Sequence, residues 1–343
     1  MISLRQLAKL CGVSATTVSR GLRDDPRVHS ETRAQIKALA SAHSYRPNRL
    51  VEAVFTGRAR MMAVVVSDLT IDPVSHRVAI TADLLRARGY ATLVFNTHDN
   101  PAVEEECLQM AVAMRVAGVI VSPVDYTANE MHYLALRRDK IPFVIASEFS
   151  PGVAVPHLYG DDEKVAAEAV LHLAHLGHRR IAHLAGPAPT LGRGGRYAGY
   201  CRGLAQSGLN VDSTLVRVTD WSMQSGAGAM RELLKLRPRP TAVFAATDQI
   251  AIGAIEEIRA SGLQVPRDIS IIGMGDSAQG RMLTPPLTTI ENDRSVMARE
   301  SVNLLFRMIA AKPGESLPRR LLNVTVPGRL IVRGSTARAR KSH

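Results

Sequence analysis

The chain contains few cysteines, no long apolar run and fewer acidic than basic residues. Its three cysteines, Cys11, Cys107 and Cys201, are odd in number and widely spaced. This argues against a disulfide framework and favours buried thiols in a reducing cytosol. No apolar run approaches the roughly 18 residues that span a bilayer, so we expect no membrane anchor. The N-terminal MISLRQLAKL lacks the apolar core of a secretory signal, and we therefore expect a cytoplasmic protein.

The shortage of acidic residues leaves a large positive charge. Lysine and arginine number 43 against 31 aspartates and glutamates, a formal net charge of +12. Such a balance favours an acidic partner, and nucleic acid before membrane. The excess is greatest in the first 60 residues, whose only acidic residues are Asp24, Asp25, Glu31 and Glu52. The basic residues of that segment are Arg5, Lys9, Arg20, Arg23, Arg27, Arg33, Lys37, Arg46, Arg49, Arg58 and Arg60.

Two short amphipathic segments at the N-terminus are typical of a helix-turn-helix. Apolar residues recur at helical spacing in the first, namely Leu4, Leu7, Ala8 and Leu10. Gly12 tolerates the left-handed backbone of a tight turn, and Ser14 is a good N-cap for a second helix. That second helix, Ala15 to Leu22, turns Val18 and Leu22 inward.

The outer face of the second helix carries short hydrogen-bonding or cationic side chains: Ala15, Thr16, Thr17, Ser19 and Arg20. Side chains of this kind suit base edges and phosphates in a DNA major groove. Two short helices around a glycine also form ordinary helical hairpins, so the pattern alone leaves both interpretations open. The positive charge of the segment favours DNA binding.

Beyond Arg60, apolar runs alternate with helical patterns. The apolar runs are residues 62–66, 91–95, 118–121 and 142–146, then 180–185, 215–218, 241–246 and 269–273. Such alternation predicts parallel sheets covered by helices on both faces, and two series predict two α/β lobes. Ligands bind at the carboxyl ends of such strands. We therefore expect a ligand among the loops after Val66, Phe95, Val121, Ala146, Ala185, Val218, Ala246 and Gly273.

Seven motifs follow one another along the chain: GVSATTVSRGL, SETRAQIKALASAHSYRPN, LRARGYATLVF, LHLAHLGHRRIAHLAGP, RYAGYCRGL, DWSMQSG and LTPPLTTI. With them the chain resembles the LacI/GalR family of lactose and purine repressors over nearly its whole length. The resemblance implies an all-α helix-turn-helix head joined to a periplasmic-binding-protein-like body of two doubly wound parallel-sheet lobes. It also implies a transcription regulator, expected to be a repressor, that binds a near-palindromic operator and responds to a small-molecule effector.

These expectations give four parts of the chain. Residues 1–46 form the DNA-binding domain, 47–60 the hinge helix and linker, 61–333 the effector-binding and dimerisation domain, and 334–343 a basic tail. The tail has no apolar heptads, so a homodimer is favoured over a tetramer built on a C-terminal helix.

The resemblance implies which residues contact DNA. Base edges would be met by the first two residues of the second helix and by Arg20, which could pair bidentately with guanine. The hydroxyls of Ser14, Thr17 and Ser19 fall at phosphate-contact positions, which set register rather than sequence. The predicted contacts are Leu4, Arg5, Ser14, Ala15, Thr16, Thr17, Ser19, Arg20, Arg23, Tyr45, Asn48, Arg49 and Val54.

The segment 48–55 matches the family's hinge helix, which folds on DNA and places an apolar wedge in the minor groove. The wedge is usually leucine and is Val54 here, which predicts a weaker or differently placed kink. Glu52 stands where arginine is more usual. A carboxylate near phosphates is unfavourable unless Arg49 or Arg58 pairs with it.

In the cleft, the resemblance implies that Arg196 holds polar groups of the effector and that Trp221, the single tryptophan, stacks against it. Relatives usually carry an aspartate in the loop Gly273-Met274-Gly275-Asp276, so the anchoring carboxylate has moved one place or vanished. A sugar or sugar acid is expected by family analogy alone. The predicted effector-binding residues are Val74, Ser147, Glu148, Thr190, Arg196, Trp221, Thr247 and Asp276.

A small-molecule enzyme and a sugar-binding transport protein are the alternatives. The glycine-rich loop 192–195 lacks the Lys-Ser/Thr of a phosphate-binding P-loop. Four histidines could suggest a zinc site: His172, His175, His178 and His183. No cysteine or carboxylate set with metal-ligand spacing accompanies them, so we expect no metal, no cofactor and no catalysis. A transport protein would need export and would have no use for the first 60 residues.

Overall fold

The computed structural model describes residues 2–45, 58–122, 133–146, 156–188, 191, 195–311 and 323–340. The chain divides into two compact units, Met1–Arg60 and Met61–His343, and each has apolar cores of its own. Within those described ranges no helix is long and apolar enough to cross a membrane.

The first unit holds three helices, α1 (Leu4–Cys11), α2 (Ala15–Leu22) and α3 (Ser30–Ala42). A capping box begins α1, because the Ser3 amide donates to Gln6 Oε1 at 2.7 Å and the Gln6 amide donates to Ser3 Oγ at 3.2 Å. The helix ends at Gly12, whose φ of 67° is left-handed. Ser14 Oγ then caps α2 by accepting from the Thr17 amide at 3.1 Å. The predicted helix-turn-helix is confirmed.

A small apolar core joins the three helices, and its buried members are Leu7, Ala8, Cys11, Val18, Ile36 and Ala40. Leu10, predicted on the inner face of α1, is 50% exposed, and Cys11 occupies the inward position instead. Cys11 is one helical turn from Leu7, whereas Leu10 lies to one side of the stripe. A Cβ at Gly21 would lie 2.6 Å from Ile36 Cδ1, so the glycine permits the close approach of α2 and α3.

The second unit contains two six-stranded sheets, ordered β11-β5-β4-β3-β1-β2 and β12-β10-β9-β8-β6-β7. Pairs such as β1–β2 and β8–β9 are parallel, whereas the edge strand β12 pairs antiparallel with β10. The strands are β1 (Ala59–Val66), β2 (Ala91–Asn96), β3 (Val116–Val121), β4 (Phe143–Ala146), β5 (His157–Gly160), β6 (Ile181–Ala185), β7 (Val216–Val218), β8 (Ala242–Ala245), β9 (Ser270–Met274), β10 (Thr288–Asn292), β11 (Asn323–Val326) and β12 (Gly328–Ile331).

Helices cover both faces of each sheet, as the continuous apolar strands predicted. In the first lobe, α4 and α12 pack on one face and α5 and α6 on the other; in the second, α7 and α8 oppose α9 and α10. The helices are α4 (Asp72–Ala87), α5 (Pro101–Ala113), α6 (Leu134–Arg138), α7 (Asp162–His175), α8 (Gly195–Gln206), α9 (Met223–Leu234), α10 (Asp248–Ala260), α11 (Ala278–Met282) and α12 (Arg294–Ala310). The prediction of two α/β lobes is confirmed.

Three crossovers between the lobes lie within the described residues. Asp161 joins β5 to α7, Asp293 joins β10 to α12, and Pro327 joins β11 to β12. Two of these crossovers are bonded to each other, because the Asp161 amide donates to the Val326 carbonyl at 3.3 Å. The lobes are therefore linked by short connections, which suits hinge movement about a fixed pivot.

The C-terminal segment differs from the predicted separate tail. Residues 334–340 lie against the second lobe, and Ser335 is fully buried. Ser335 Oγ donates to the Ile271 carbonyl at 2.6 Å, and His178 Nε2 donates to the Ala337 carbonyl at 3.0 Å. These long-range hydrogen bonds make the segment part of the second lobe.

A buried histidine lies in the core of the second lobe. The His183 ring stacks on Tyr200 at 4.9 Å and on Phe244 at 5.1 Å, measured between ring centroids. Its Nδ1 donates to the Phe244 carbonyl at 3.0 Å, while Nε2 is buried without a hydrogen-bond partner in the described structure. Burial disfavours the charged ring and lowers the pKa of His183 to about 4.

This histidine predicts a loss of stability in acid. The unfolded chain, with an ordinary pKa near 6.5, binds the proton more readily than the folded chain, so the free energy of unfolding falls as pH drops from about 6.5 towards 4, by about 3 kcal/mol in total. His183→Gln, which cannot titrate, should flatten that decline in urea unfolding curves measured across the same pH range. His175→Gln, at an exposed position on α7, is the control. Equal pH slopes for the parent chain and His183→Gln would contradict the prediction.

Candidate functional site

A cavity of about 220 Å³ lies between the two lobes of the second unit. Its walls are formed at the carboxyl ends of the parallel strands, where the sequence predicted a ligand. The first sheet contributes Ser67, Asp99, Ser122, Ala146 and Gly160, and the second contributes Trp221, Thr247, Gly275 and Asn292.

Arg196 projects into this cavity from the first turn of α8. Its Nε donates to Asp162 Oδ2 at 3.1 Å, and its Nη1 donates to the Ala246 carbonyl at 3.0 Å. The guanidinium carbon lies 5.4 Å from the centroid of the Trp221 ring, within cation–π range. A planar cation is thus fixed between a carboxylate and an aromatic ring.

Trp221 is held in the cavity wall by its own turn and by a glycine. Its φ is 75°, and the preceding Asp220 accepts hydrogen bonds from the Ser222 hydroxyl at 2.6 Å and amide at 3.0 Å. These bonds hold the pKa of Asp220 at about 2, so the carboxylate is ionised at neutral pH. A Cβ at Gly186 would lie 2.1 Å from the indole ring, so only glycine leaves room for it.

A second carboxylate of the cavity, Asp248, begins α10 and is 2% exposed. Its Oδ1 accepts from Thr289 Oγ1 at 2.5 Å, and its Oδ2 accepts from the Ser277 amide at 2.6 Å. Burial raises the pKa of Asp248 despite these donors. The preceding Thr247 also lines the cavity, and its hydroxyl accepts from the Ile250 amide at 3.3 Å as the helix N-cap.

In the first unit, the outer face of α2 presents Thr16 to solvent and leaves Arg20 half-buried. Within residues 2–45, Arg5 and Arg20 form no ion pair, whereas Lys37 pairs with Asp24 and Arg27 with Asp25, each at 2.6 Å. The bond from Arg27 holds the pKa of Asp25 well below its usual range. Asp25 thus pairs with a cation of the α2–α3 loop, and Asp24 pairs with a cation of α3.

Comparisons with known proteins agree with this arrangement. Residues 3–48 match the family described as bacterial regulatory proteins, lacI family, and residues 170–336 match a periplasmic binding protein-like domain. The transcriptional repressor CytR of Escherichia coli (strain K12) is 30% identical over 339 residues, covering 97% of this chain and 96% of the relative. The chain belongs to the LacI family. The transcriptional regulator MalR of Streptomyces coelicolor is 33% identical over 345 residues, covering 98% of this chain and 97% of the relative.

Solved structures of LacI-family proteins have the same architecture. The lac repressor dimer bound to operator and the anti-inducer ONPF matches with a TM-score of 0.84 at 27% identity, covering 98% of this chain and 99% of that chain. A CelR–cellobiose complex matches with a TM-score of 0.71 at 29% identity, covering 98% and 100%. This LacI-family protein is a transcriptional repressor with a DNA-binding domain and an effector-binding domain. Its relatives are named as regulators, which sets aside the enzyme and transport alternatives.

Four of the predicted effector-binding residues line the cavity, namely Val74, Arg196, Trp221 and Thr247. That they bind an effector remains a prediction. Ser147, Glu148 and Thr190 lie outside the described residues, as do the head and hinge predictions Asn48, Arg49 and Val54.

Asp276, predicted to bind the effector, requires a correction. It is 3% exposed, and its carboxylate accepts from Arg281 Nη2 at 2.7 Å and from Arg333 Nη2 at 2.6 Å. The side chain is therefore turned away from the cavity, whose lining includes its neighbours Gly275 and Ser277 instead. This pairing could not be predicted from the sequence, because Arg333 lies far along the chain in the C-terminal segment.

Several polar cavity residues were missed from the sequence: Arg77, Asp99, Ser122, Asp162, Asp248, Asn292 and Arg294. Asp99 and Ser122 follow β2 and β3, so the rule for strand ends could have found them. Arg77 lies within α4 and carries no such signal; its Nη2 donates to Ser122 Oγ at 2.7 Å. Asp162 and Asn292 flank the crossovers, which only the fold reveals.

The head predictions divide by burial. Arg5, Ser14, Thr16 and Arg23 are exposed, and Thr17, Ser19 and Arg20 are half-buried. Leu4, Ala15 and Tyr45 are also half-buried, but all three pack on the apolar core of the head. The methyl of Ala15 is therefore only partly available to a base.

Gly186→Ala should displace Trp221, because the added methyl would occupy the place of the ring. The expected result is a shift of the tryptophan emission to longer wavelength as the indole leaves its packed position beside Arg196. Gly228→Ala is the control, since a Cβ at Gly228 meets no atom within 4 Å. If the emission spectra of both Gly186→Ala and the control are unchanged, the Trp221 ring does not pack against Gly186.

Proposed function

We propose that this repressor binds a near-palindromic operator as a homodimer and is controlled by a sugar or sugar acid in the interlobe cavity. The observation that carries the proposal is the joining of a basic helix-turn-helix to a cavity in which Arg196, Trp221 and Asp162 meet. Because such a protein acts on chromosomal DNA, we place it in the cytoplasm.

The chemistry of the cavity supports a polyhydroxylated ligand. Guanidinium groups donate to hydroxyl oxygens, and carboxylates accept from hydroxyl hydrogens. The described lining supplies both, with Arg77, Arg196 and Arg294 set among Asp99, Asp162 and Asp248. The Trp221 face suits the apolar face of a sugar ring. A cavity of about 220 Å³ is smaller than the roughly 300–1,000 Å³ of sites for drug-sized ligands, which favours a small molecule such as a monosaccharide. The related CelR structure is described as a cellobiose complex.

Regulation would pass through the crossovers. Asp162 and Asn292 line the cavity and lie beside two of the three connections between the lobes. A ligand that binds one lobe angle better than another shifts the population towards that angle. The shift would move the two linkers of a dimer and so favour or disfavour folding of the hinge segment on DNA.

DNA binding would follow from the head. Arg20 and Thr16 stand on the outer face of α2, the side that enters the major groove in a helix-turn-helix. A dimer places two heads in equivalent grooves, which accounts for a palindromic site. The lac repressor relative is described as a dimer bound to operator.

The direct test is selection of genomic fragments by the purified full-length chain at several salt concentrations. We expect salt-sensitive retention of fragments that share a two-fold symmetric sequence. Arg20→Ala should lose about 1–3 kcal/mol of discrimination at one base pair in each half-site while non-specific binding changes little.

Lys37→Ala is the control, because Lys37 lies on α3 and is paired with Asp24. This variant should weaken binding to all DNA sequences slightly and to the same extent. A uniform loss for Arg20→Ala would make Arg20 a phosphate contact, and absence of site selectivity in the parent chain would remove the proposed function.

A thermal-shift screen against neutral sugars, sugar acids, nucleosides and sugar phosphates should identify the ligand class. A true ligand raises the melting temperature with concentration. Arg196→Ala should abolish that rise while leaving operator retention intact. Arg202→Ala is the control, because this exposed residue lies on the same helix and pairs with Glu163 at 3.2 Å. A full response in Arg196→Ala would exclude Arg196 from the site.

A further inference from the structure

The two lobes approach each other closely at one point of the cavity wall. Gly275 follows β9 in the second lobe, and Pro73 is the second residue of α4 in the first. A Cβ at position 275 would lie 3.3 Å from Pro73 Cγ, which is tighter than ordinary packing. The φ of Gly275 is 132°, which side-chain-bearing residues rarely adopt. Position 275 thus excludes a side chain by both its backbone and its surroundings.

The loop that carries Gly275 is fixed within the second lobe. Asp248 Oδ2 accepts from the Ser277 amide at 2.6 Å, and the Gly275 amide donates to the Ile290 carbonyl at 2.8 Å. The intervening Asp276 is bound by two arginines at 2.7 and 2.6 Å. A loop held at three consecutive residues yields little, so added bulk at position 275 would be relieved by moving the lobes.

The first lobe contacts this loop from two separate directions. Arg294, beside the Asp293 crossover, donates to the carbonyls of Gly275 and Asp276, the latter at 2.8 Å. Pro73 lies in the first turn of α4, which follows β1, and β1 is three strands away from β5 in the first sheet. Arg294 therefore contacts the loop beside the pivot, and Pro73 contacts it at a distance from the pivot. Added bulk at the Pro73 contact would change the angle between the lobes.

We propose that Gly275 and Pro73 form a stop that sets how far the cleft closes, and that the glycine permits the closed arrangement. The stop is a property of the body. Its use in regulation rests on the proposed function, since the closure angle would set how strongly the effector changes operator affinity.

Trp221 offers a direct readout of closure, because it is the single tryptophan and lines the same cavity. Gly275→Ala should widen the cleft and raise the acrylamide quenching constant of Trp221 about twofold, as the quencher gains access. Pro73→Ala in the same chain removes the opposing ring and should return the constant to that of the parent.

Gly262→Ala controls for backbone strain, because Gly262 has a φ of 74° and a Cβ there meets no atom within 4 Å. It should leave quenching unchanged. Pro73→Ile adds bulk from the first lobe without altering Gly275, so it should raise quenching even if Gly275→Ala fails to fold.

The stop is refuted if Pro73→Ile leaves quenching unchanged, or if Pro73→Ala fails to reverse the effect of Gly275→Ala. The second outcome would assign the effect to backbone strain. These measurements need neither DNA nor effector, so they decide the stop even where the fragment selection and the ligand screen contradict the proposed function.

Discussion

The buried carboxylate of Asp162 joins the cavity to the pivot between the lobes. It is 6% exposed; Oδ1 accepts from Asn292 Nδ2 at 3.2 Å and Oδ2 accepts from Arg196 Nε at 3.1 Å. Two crossovers and the principal cation of the cavity thus share one group. Removing one partner from a buried pair leaves the other less well compensated, so the bond to Arg196 helps to hold this group in place. A ligand that draws Arg196 towards itself therefore acts on the connection between the lobes.

Two glycines closely approach Asp162 and its partner Asn292. A Cβ at Gly160 would lie 2.5 Å from Asp162 Oδ1, and a Cβ at Gly328 would lie 2.5 Å from Asn292 Oδ1. Each glycine stands next to a crossover, one at the end of β5 and the other at the start of β12. At the pivot, backbone thus approaches two polar side chains, and a Cβ at Gly328 would also lie 3.2 Å from Val165 Cγ1. Such a joint has few alternative arrangements, which suits rotation between discrete states.

The sequence predicted the features of the fold that depend on residues close together in the chain. It did not predict the side-chain positions that depend on contacts with distant residues. Gly12 and Ser14 indicated the helix turn, and the continuous apolar strands indicated two covered sheets, because both signals are read within a few residues. Asp248 and Asp276 follow strands in the same way and look equivalent in the sequence. Thr289 and the Ser277 amide hold the first in the cavity wall, while arginines from two other elements turn the second away.

In the head, the excess of basic residues was enough to predict DNA binding, but it did not show which of these residues are paired with carboxylates. After α2, Asp24 pairs with Lys37 and Asp25 pairs with Arg27. Exposed pairs of this kind contribute little to stability, typically below about 1 kcal/mol. Their larger effect is on the field at the surface of the head, since they neutralise charge beside α3 and the loop. Arg20, on the outer face of α2, forms no ion pair within residues 2–45, so its charge remains available to the field at that surface.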